Sequence, residues 1–159
     1  MKFILNFLII FTALSSISYA QDLLQERIWK ISSRKRSVYF DKGVFHSDNP
    51  KLPQQLKSIR NSYIPSRGYE RIVFDFTSNN TPKIYGKISG EEKKVYIDFF
   101  NTTLATTMDK LKNIKYLKNI DFFTLDEGRL SVELNFERKV SFDIFYLTNP
   151  GRLVIDVKK

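Results

Sequence analysis

The stretch "RLSVELNFERKVSFDIFYLTNPGRLVIDV" (129–157) decides the fold. Leu130, Val132, Leu134 and Phe136 fall on one side of an extended chain, and Ser131, Glu133 and Asn135 fall on the other. A period of two residues is the pattern of a strand with one face buried and one face wet. The two runs that follow, "VSFDIFYL" (140–147) and "RLVIDV" (152–157), are rich in the β-branched and aromatic residues that suit a pleated surface. Asn149-Pro150-Gly151 separates them, and such a cluster marks a turn.

The same texture continues upstream in "KVYIDFF" (94–100), "KIYGKIS" (83–89) and "RIVFDF" (71–76). Turns are expected at Ser78-Asn79-Asn80, Gly90-Glu91-Glu92 and Asp126-Glu127-Gly128. The chain also repeats itself. A shift of 58 residues carries Arg71 onto Arg129, Ile72 onto Leu130, Asp75 onto Glu133 and Phe76 onto Leu134. It carries Ile84 onto Phe142, Lys94 onto Arg152, Ile97 onto Ile155 and Asp98 onto Asp156. With a different turn length, "LKSI" (56–59) meets "LKNI" (117–120). The expected fold is all-β: a pseudo-symmetric β-sandwich of two duplicated halves, about 54–100 and 115–159, each covering the other's apolar side. Between them "NTTLATTMDKLKNIKY" (101–116) reads as a connector or one helical turn, with Met108 and Leu111 facing inward.

Residues 1–20 read as a signal peptide: Lys2, an apolar run from Phe3 to Leu14, then small and polar residues ending Ser18-Tyr19-Ala20. The run is short for a bilayer span, and no later stretch is apolar enough for one, so no transmembrane segment is expected after cleavage. Residues 21–53 read as an irregular basic N-terminal arm. "DLLQERIWKI" (22–31) suits a short helix or a strand, and the remainder suits a short hairpin or a loosely docked arm. The knot Arg34-Lys35-Arg36 suits a solvated turn or a binding patch.

Of 159 residues none is cysteine, which excludes disulfides and thiolate metal sites. The whole chain carries +9, and removing Lys2 with the signal leaves 25 cations against 17 anions. An exported protein of that charge is drawn to anionic polymers or surfaces, and nucleic acid is a poor partner behind a signal peptide.

No catalytic constellation is legible, so no catalytic residue, metal or cofactor is expected. The single histidine, His46, reads as a surface loop residue, and the six glycines are scattered at turns with no phosphate loop among them. Asp75, Asp98, Glu133 and Asp156 alternate with apolar residues and read as outward sheet positions. A binding face is the better candidate. Lys94 and Tyr96 point away from Val95, Ile97 and Phe99, and Tyr85 and Lys87 do the same on the neighbouring strand. Aromatic rings beside cations suit a sugar-peptide ligand, with the ring on a sugar face and the cation on a carboxylate. They equally suit a solvated sheet face supported by cross-strand pairs.

Leu147, Pro150, Arg152, Leu153, Val154, Ile155 and Asp156, preceded by a hydrophobic strand beginning at Arg71, form a string that resembles the AMIN domain. That family is a periplasmic β-sandwich module of cell-wall amidases and pilus secretins. The first half departs from the string: Glu92-Lys93-Lys94 stands where the proline is expected. The resemblance covers about residues 54–158. It implies export to the periplasm of a Gram-negative bacterium, binding to peptidoglycan or to an envelope protein complex, and no enzymatic activity. Arg152 and Asp156 lie four residues apart on one strand, roughly 13 Å, and cannot pair with each other. Each is expected to meet a neighbouring strand, with Glu133 a candidate partner for Arg152. The string therefore reads as holding the fold rather than a ligand.

Overall fold

The computed structural model describes residues 27–33, 37–106, 111–112, 114–125 and 128–159. The signal segment, the knot 34–36, Met108 and the Asp126-Glu127 part of one turn lie outside the described residues. Eleven strands are present among those described: β1 (Ile28–Lys30), β2 (Gly43–His46), β3 (Gln54–Ile64), β4 (Tyr69–Phe76), β5 (Ile84–Ser89), β6 (Lys94–Phe99), β7 (Thr102–Leu104), β8 (Leu117–Leu125), β9 (Arg129–Phe136), β10 (Ser141–Leu147) and β11 (Arg152–Lys158). They form a six-stranded sheet in the order β1-β2-β5-β6-β9-β8 and a five-stranded sheet in the order β10-β11-β4-β3-β7.

The two sheets pack as an all-β sandwich. Alternation puts Val95, Ile97 and Phe99 of β6, with Leu130, Val132, Leu134 and Phe136 of β9, into the space between them. Ile72, Phe74 and Phe76 of β4 and Leu153, Ile155 and Val157 of β11 meet them from the other sheet. Rings lock the layers together: Phe99 lies 5.6 Å from Phe74 and 5.3 Å from Phe76, and Phe136 lies 5.0 Å from Phe142, centroid to centroid. Each such buried ring stabilises the fold by about 1.5–3 kcal/mol relative to exposure.

The duplication is visible in the pairing. β6 pairs with β9 so that Lys94, Ile97 and Asp98 face Asn135, Val132 and Ser131. β11 pairs with β4 so that Arg152, Ile155 and Asp156 face Asp75, Ile72 and Arg71. The two junctions superpose when Lys94 is carried to Arg152 and Phe76 to Phe136, offsets of 58 and 60 residues. Arg71 therefore corresponds to Ser131 and not to Arg129. The connection from Phe76 to Ile84 is two residues longer than that from Phe136 to Phe142, which absorbs the difference. A slip of two leaves every side chain on its own face, so alternation alone could not register it. β3 and β8 share even an irregularity, with bulges between Leu56 and Ser58 and between Leu117 and Asn119.

The halves are interleaved. Each gives one hairpin to each sheet: β3–β4 and β10–β11 to the five-stranded sheet, β5–β6 and β8–β9 to the six-stranded one. Neither half is a sheet of its own facing the other.

The described part of the arm is stitched into this body. β1 is a strand, and it pairs with β2 in parallel, where a hairpin was one expectation. β2 extends the six-stranded sheet through β5. Ile31 and Phe45 are fully buried, and Phe40 exchanges backbone hydrogen bonds with Phe142 at 2.8 and 2.7 Å. Between these contacts the described residues 32–33 and 37–39 belong to no strand. The connector 101–116 opens as β7, paired in parallel with β3, and Leu111 packs against the core as expected. Among the described residues no helix is long and apolar enough to cross a membrane.

Candidate functional site

The string that carries the family resemblance lies in the β10–β11 hairpin, and its residues hold structure. Arg71 donates from Nε and Nη2 to the two carboxylate oxygens of Asp156, both at 2.7 Å. Asp156 lies on the outer face of the sheet, opposite the core-facing Ile155 and Val157, but at 2 % exposure it is a covered charge and not a solvated one. Its hydrogen bonds hold the Arg71 guanidinium above its ordinary pKa, against the opposing effect of burial. The same guanidinium lies 5.2 Å from the Tyr69 ring and 5.7 Å from the Phe145 ring, a cation–π sandwich across the sheet. Tyr39 approaches from the arm with Lys158 Nζ 3.8 Å from its ring centre. Burial first, then Asp156 and Asp143, push the Tyr39 phenol up to about 12.

Leu147 and Arg152 face each other at the turn end of the hairpin, and Pro150 follows a cis peptide bond in its turn. That turn clasps the β4–β5 connection of the first half. Asn149 N–H donates to Asn79 O and Gly151 N–H to Ser78 O, each at 2.9 Å. A Cβ on Gly151 would stand 2.4 Å from the Asn80 carbonyl, so only glycine permits the approach. Arg152 faces Asp75 in the five-stranded sheet. The suggested partner Glu133 belongs to the other sheet, where it receives Lys94 at 3.0 Å. Asp75 is taken by Arg60 through two hydrogen bonds of 2.7 and 2.8 Å. The Nε of Arg152 is buried without a hydrogen-bond partner among the described residues.

The four residues expected to bind a ligand, Tyr85, Lys87, Lys94 and Tyr96, come together on the outer face of the six-stranded sheet. Lys87 and Tyr96 are direct cross-strand neighbours. Lys94 and Tyr96 are engaged with the protein itself through specific contacts. Lys94 Nζ pairs with Glu133, which raises its pKa, and it stands 5.7 Å from the Tyr96 ring centre. Tyr96 donates its hydroxyl proton to Glu92 at 2.7 Å; that bond lowers the Glu92 pKa, while burial and then Glu92 raise that of the phenol. Tyr85 remains open to solvent at 48 %.

Register adds a residue that the sequence reading missed. Tyr85 faces Asp98, Asp98 faces Ser131, and Ser131 faces Phe123 in one row across β5, β6, β9 and β8. Phe123 is 46 % exposed and Leu125, two residues on, is 40 % exposed. Ser131 Oγ donates to Asp98, so the middle of the row is a low, hydrogen-bonded polar pair between two rings. Three strand spacings separate the rings, about 14 Å. The signal available in the sequence was "DFFTL" (121–125), since adjacent phenylalanines in a strand must face opposite ways. The β8 bulge decides which one faces out.

His46 ends β2, a strand position in place of the loop expected, with Nδ1 3.4 Å from Asp48. Among the described residues no three His, Cys, Asp or Glu side chains gather as a metal site. Glu70, buried at 0 %, accepts hydrogen bonds from the backbone N–H groups of Tyr116 and Leu117 at 2.7 and 3.1 Å. That carboxylate ties the connector between the halves. No family model, no curated protein and no solved structure matches this chain.

Proposed function

We propose that the protein is a non-catalytic module of the bacterial envelope that binds peptidoglycan through the outer face of its six-stranded sheet. It would be exported to the periplasm of a Gram-negative cell and localise itself or a partner on the wall. The observation that carries this reading is the row Tyr85–Asp98–Ser131–Phe123: two exposed rings flank a carboxylate and a hydroxyl on a rigid sheet. Ring faces pack on sugar C–H groups, while the Asp98 carboxylate can accept from sugar hydroxyls. The net charge of the exported chain, 25 cations against 17 anions or +8, favours an anionic wall, and the resemblance of the Leu147–Asp156 string to the AMIN domain points the same way.

Co-sedimentation with purified sacculi tests it, in about 50 and about 300 mM salt. The mature chain should pellet at both. Tyr85→Ala/Phe123→Ala should reduce retention at the higher salt by roughly tenfold. Pelleting lost on raising salt, and indifferent to the two rings, would reduce the interaction to charge alone.

A second reading, an accessory factor acting through protein contacts in an envelope secretion or pilus machine, draws on the arm. Ile28, Val38 and Leu52 are large apolar side chains 70, 42 and 52 % exposed, all within residues 27–53. Deleting the arm would also remove Ile31 and Phe45 from the core, so Ile28→Ser/Leu52→Ser is the cleaner variant. Lost cellular localisation with sacculus binding intact would favour this second reading.

A further inference from the structure

At one end of the sandwich, a cleft of about 480 Å3 opens between the β5–β6 turn, the 41–42 turn and the start of β10. Lys42, Lys87, Lys139 and Lys159 line it, against Asp41 and Glu91. Ile88 and Val140, 1 and 5 % exposed, form part of its apolar lining. The wall is held by backbone contact: a Cβ on Gly90 would come 2.6 Å from the Asp41 carbonyl oxygen. Lys42, Lys139 and Lys159 form no ion pair among the described residues. Four cations against two carboxylates leave the lining net positive, which favours an incoming anion. Lys87 faces Tyr96 across β5 and β6, so the cleft is continuous with the aromatic face.

We propose that this cleft is a subsite for the carboxylates of a short acidic peptide attached to the glycan on the neighbouring face. The inference rests on the peptidoglycan reading for the polymer and adds where its peptide would lie. Four cations with two anions suit a zwitterionic peptide, whose carboxylates meet lysines while an ammonium group meets Asp41 or Glu91. A compact phosphate would use only the cations.

Calorimetric titration separates the two sites. The probes are a disaccharide-tetrapeptide and a peptide-free glycan oligomer of the same sugars, applied to the full mature chain and to Lys42→Ala/Lys139→Ala. Both lysines are exposed and outside any strand. The wild type should prefer the peptide-bearing ligand by about tenfold, one charge-assisted contact's worth. The double variant should lose that preference and keep its affinity for the peptide-free oligomer. A preference retained by the double variant, or absent from the wild type, overturns the cleft and leaves the aromatic face standing. Failure of the peptide-free oligomer to bind, with the lysine-dependent preference intact, strikes the aromatic face instead. Inorganic phosphate displacing the peptide ligand from the wild type at sub-millimolar concentration would reassign the cleft to phosphate.

Discussion

Replacing Asp156 by Asn would leave Arg71 facing a neutral amide at the centre of the five-stranded sheet. Removing one partner of a fully buried pair costs about 3–5 kcal/mol, and the partial exposure of Arg71 brings the expected loss to about 2–3 kcal/mol. Urea unfolding of Asp156→Asn would show it as a lowered midpoint with an unchanged slope. Arg60→Ala, whose ion pair with Asp75 joins side chains 60 and 14 % exposed, should cost no more than about 1 kcal/mol in the same assay. Tyr39 gives a pH dependence. Its folded-state value of about 12 stands above the ordinary 10.0, so the fold holds the phenol proton more tightly than the unfolded chain does. That contribution is complete below pH 10.0 and is lost as pH rises through about 12. The alkaline decline in stability should be shallower in Tyr39→Phe, measured by urea midpoints across that window. The sequence contained Arg71 and Asp156 as members of one string, but 85 residues separate them. Only β11 pairing with β4 makes them neighbours, and only Tyr39 and the flanking rings make that outer face dry.

Gly86 shows how a single strand position holds an element in place. A Cβ there would lie 2.2 Å from Cζ of Phe45, which is fully buried. Interiors packed to crystal density cannot absorb such an overlap, so Gly86→Val should expel Phe45 and loosen β2, and β1 with it. Hydrogen exchange should then accelerate at residues 43–46 while the amides of β9 and β11 keep their protection. Uniform acceleration across both sheets would contradict the view that the arm is a separable edge. The six strands with clean alternation were legible because one face of each is apolar. β3 and β8 were legible only as the repeated "LKSI" and "LKNI", because each carries a bulge that breaks the alternation near its start. β1, β2 and β7 span three or four residues each, too few for a period to show, and are strands because a neighbour's edge completes them.

At the scale of the whole molecule, the duplication makes two similar sheets with different outer faces. On the five-stranded sheet the Arg71–Asp156 pair and the cations over aromatic rings close the surface. At the corresponding positions of the six-stranded sheet stand Ser131 and Asp98, small and polar, with Tyr85 and Phe123 on either side. The five-stranded sheet is thus held by the string that the sequence displays most clearly. The six-stranded sheet presents the more open face, whose aromatic member Phe123 the sequence left unmarked because the bulge in β8 interrupts its alternation.

The measurement that tests this division most directly is amide chemical-shift mapping by NMR, with the peptide-free glycan oligomer titrated into the mature protein. The account predicts shifts confined to β5, β6, β9 and β8, centred on Tyr85, Asp98, Ser131 and Phe123. Shifts confined to the five-stranded sheet or the arm, or no shifts at saturating oligomer, would contradict it.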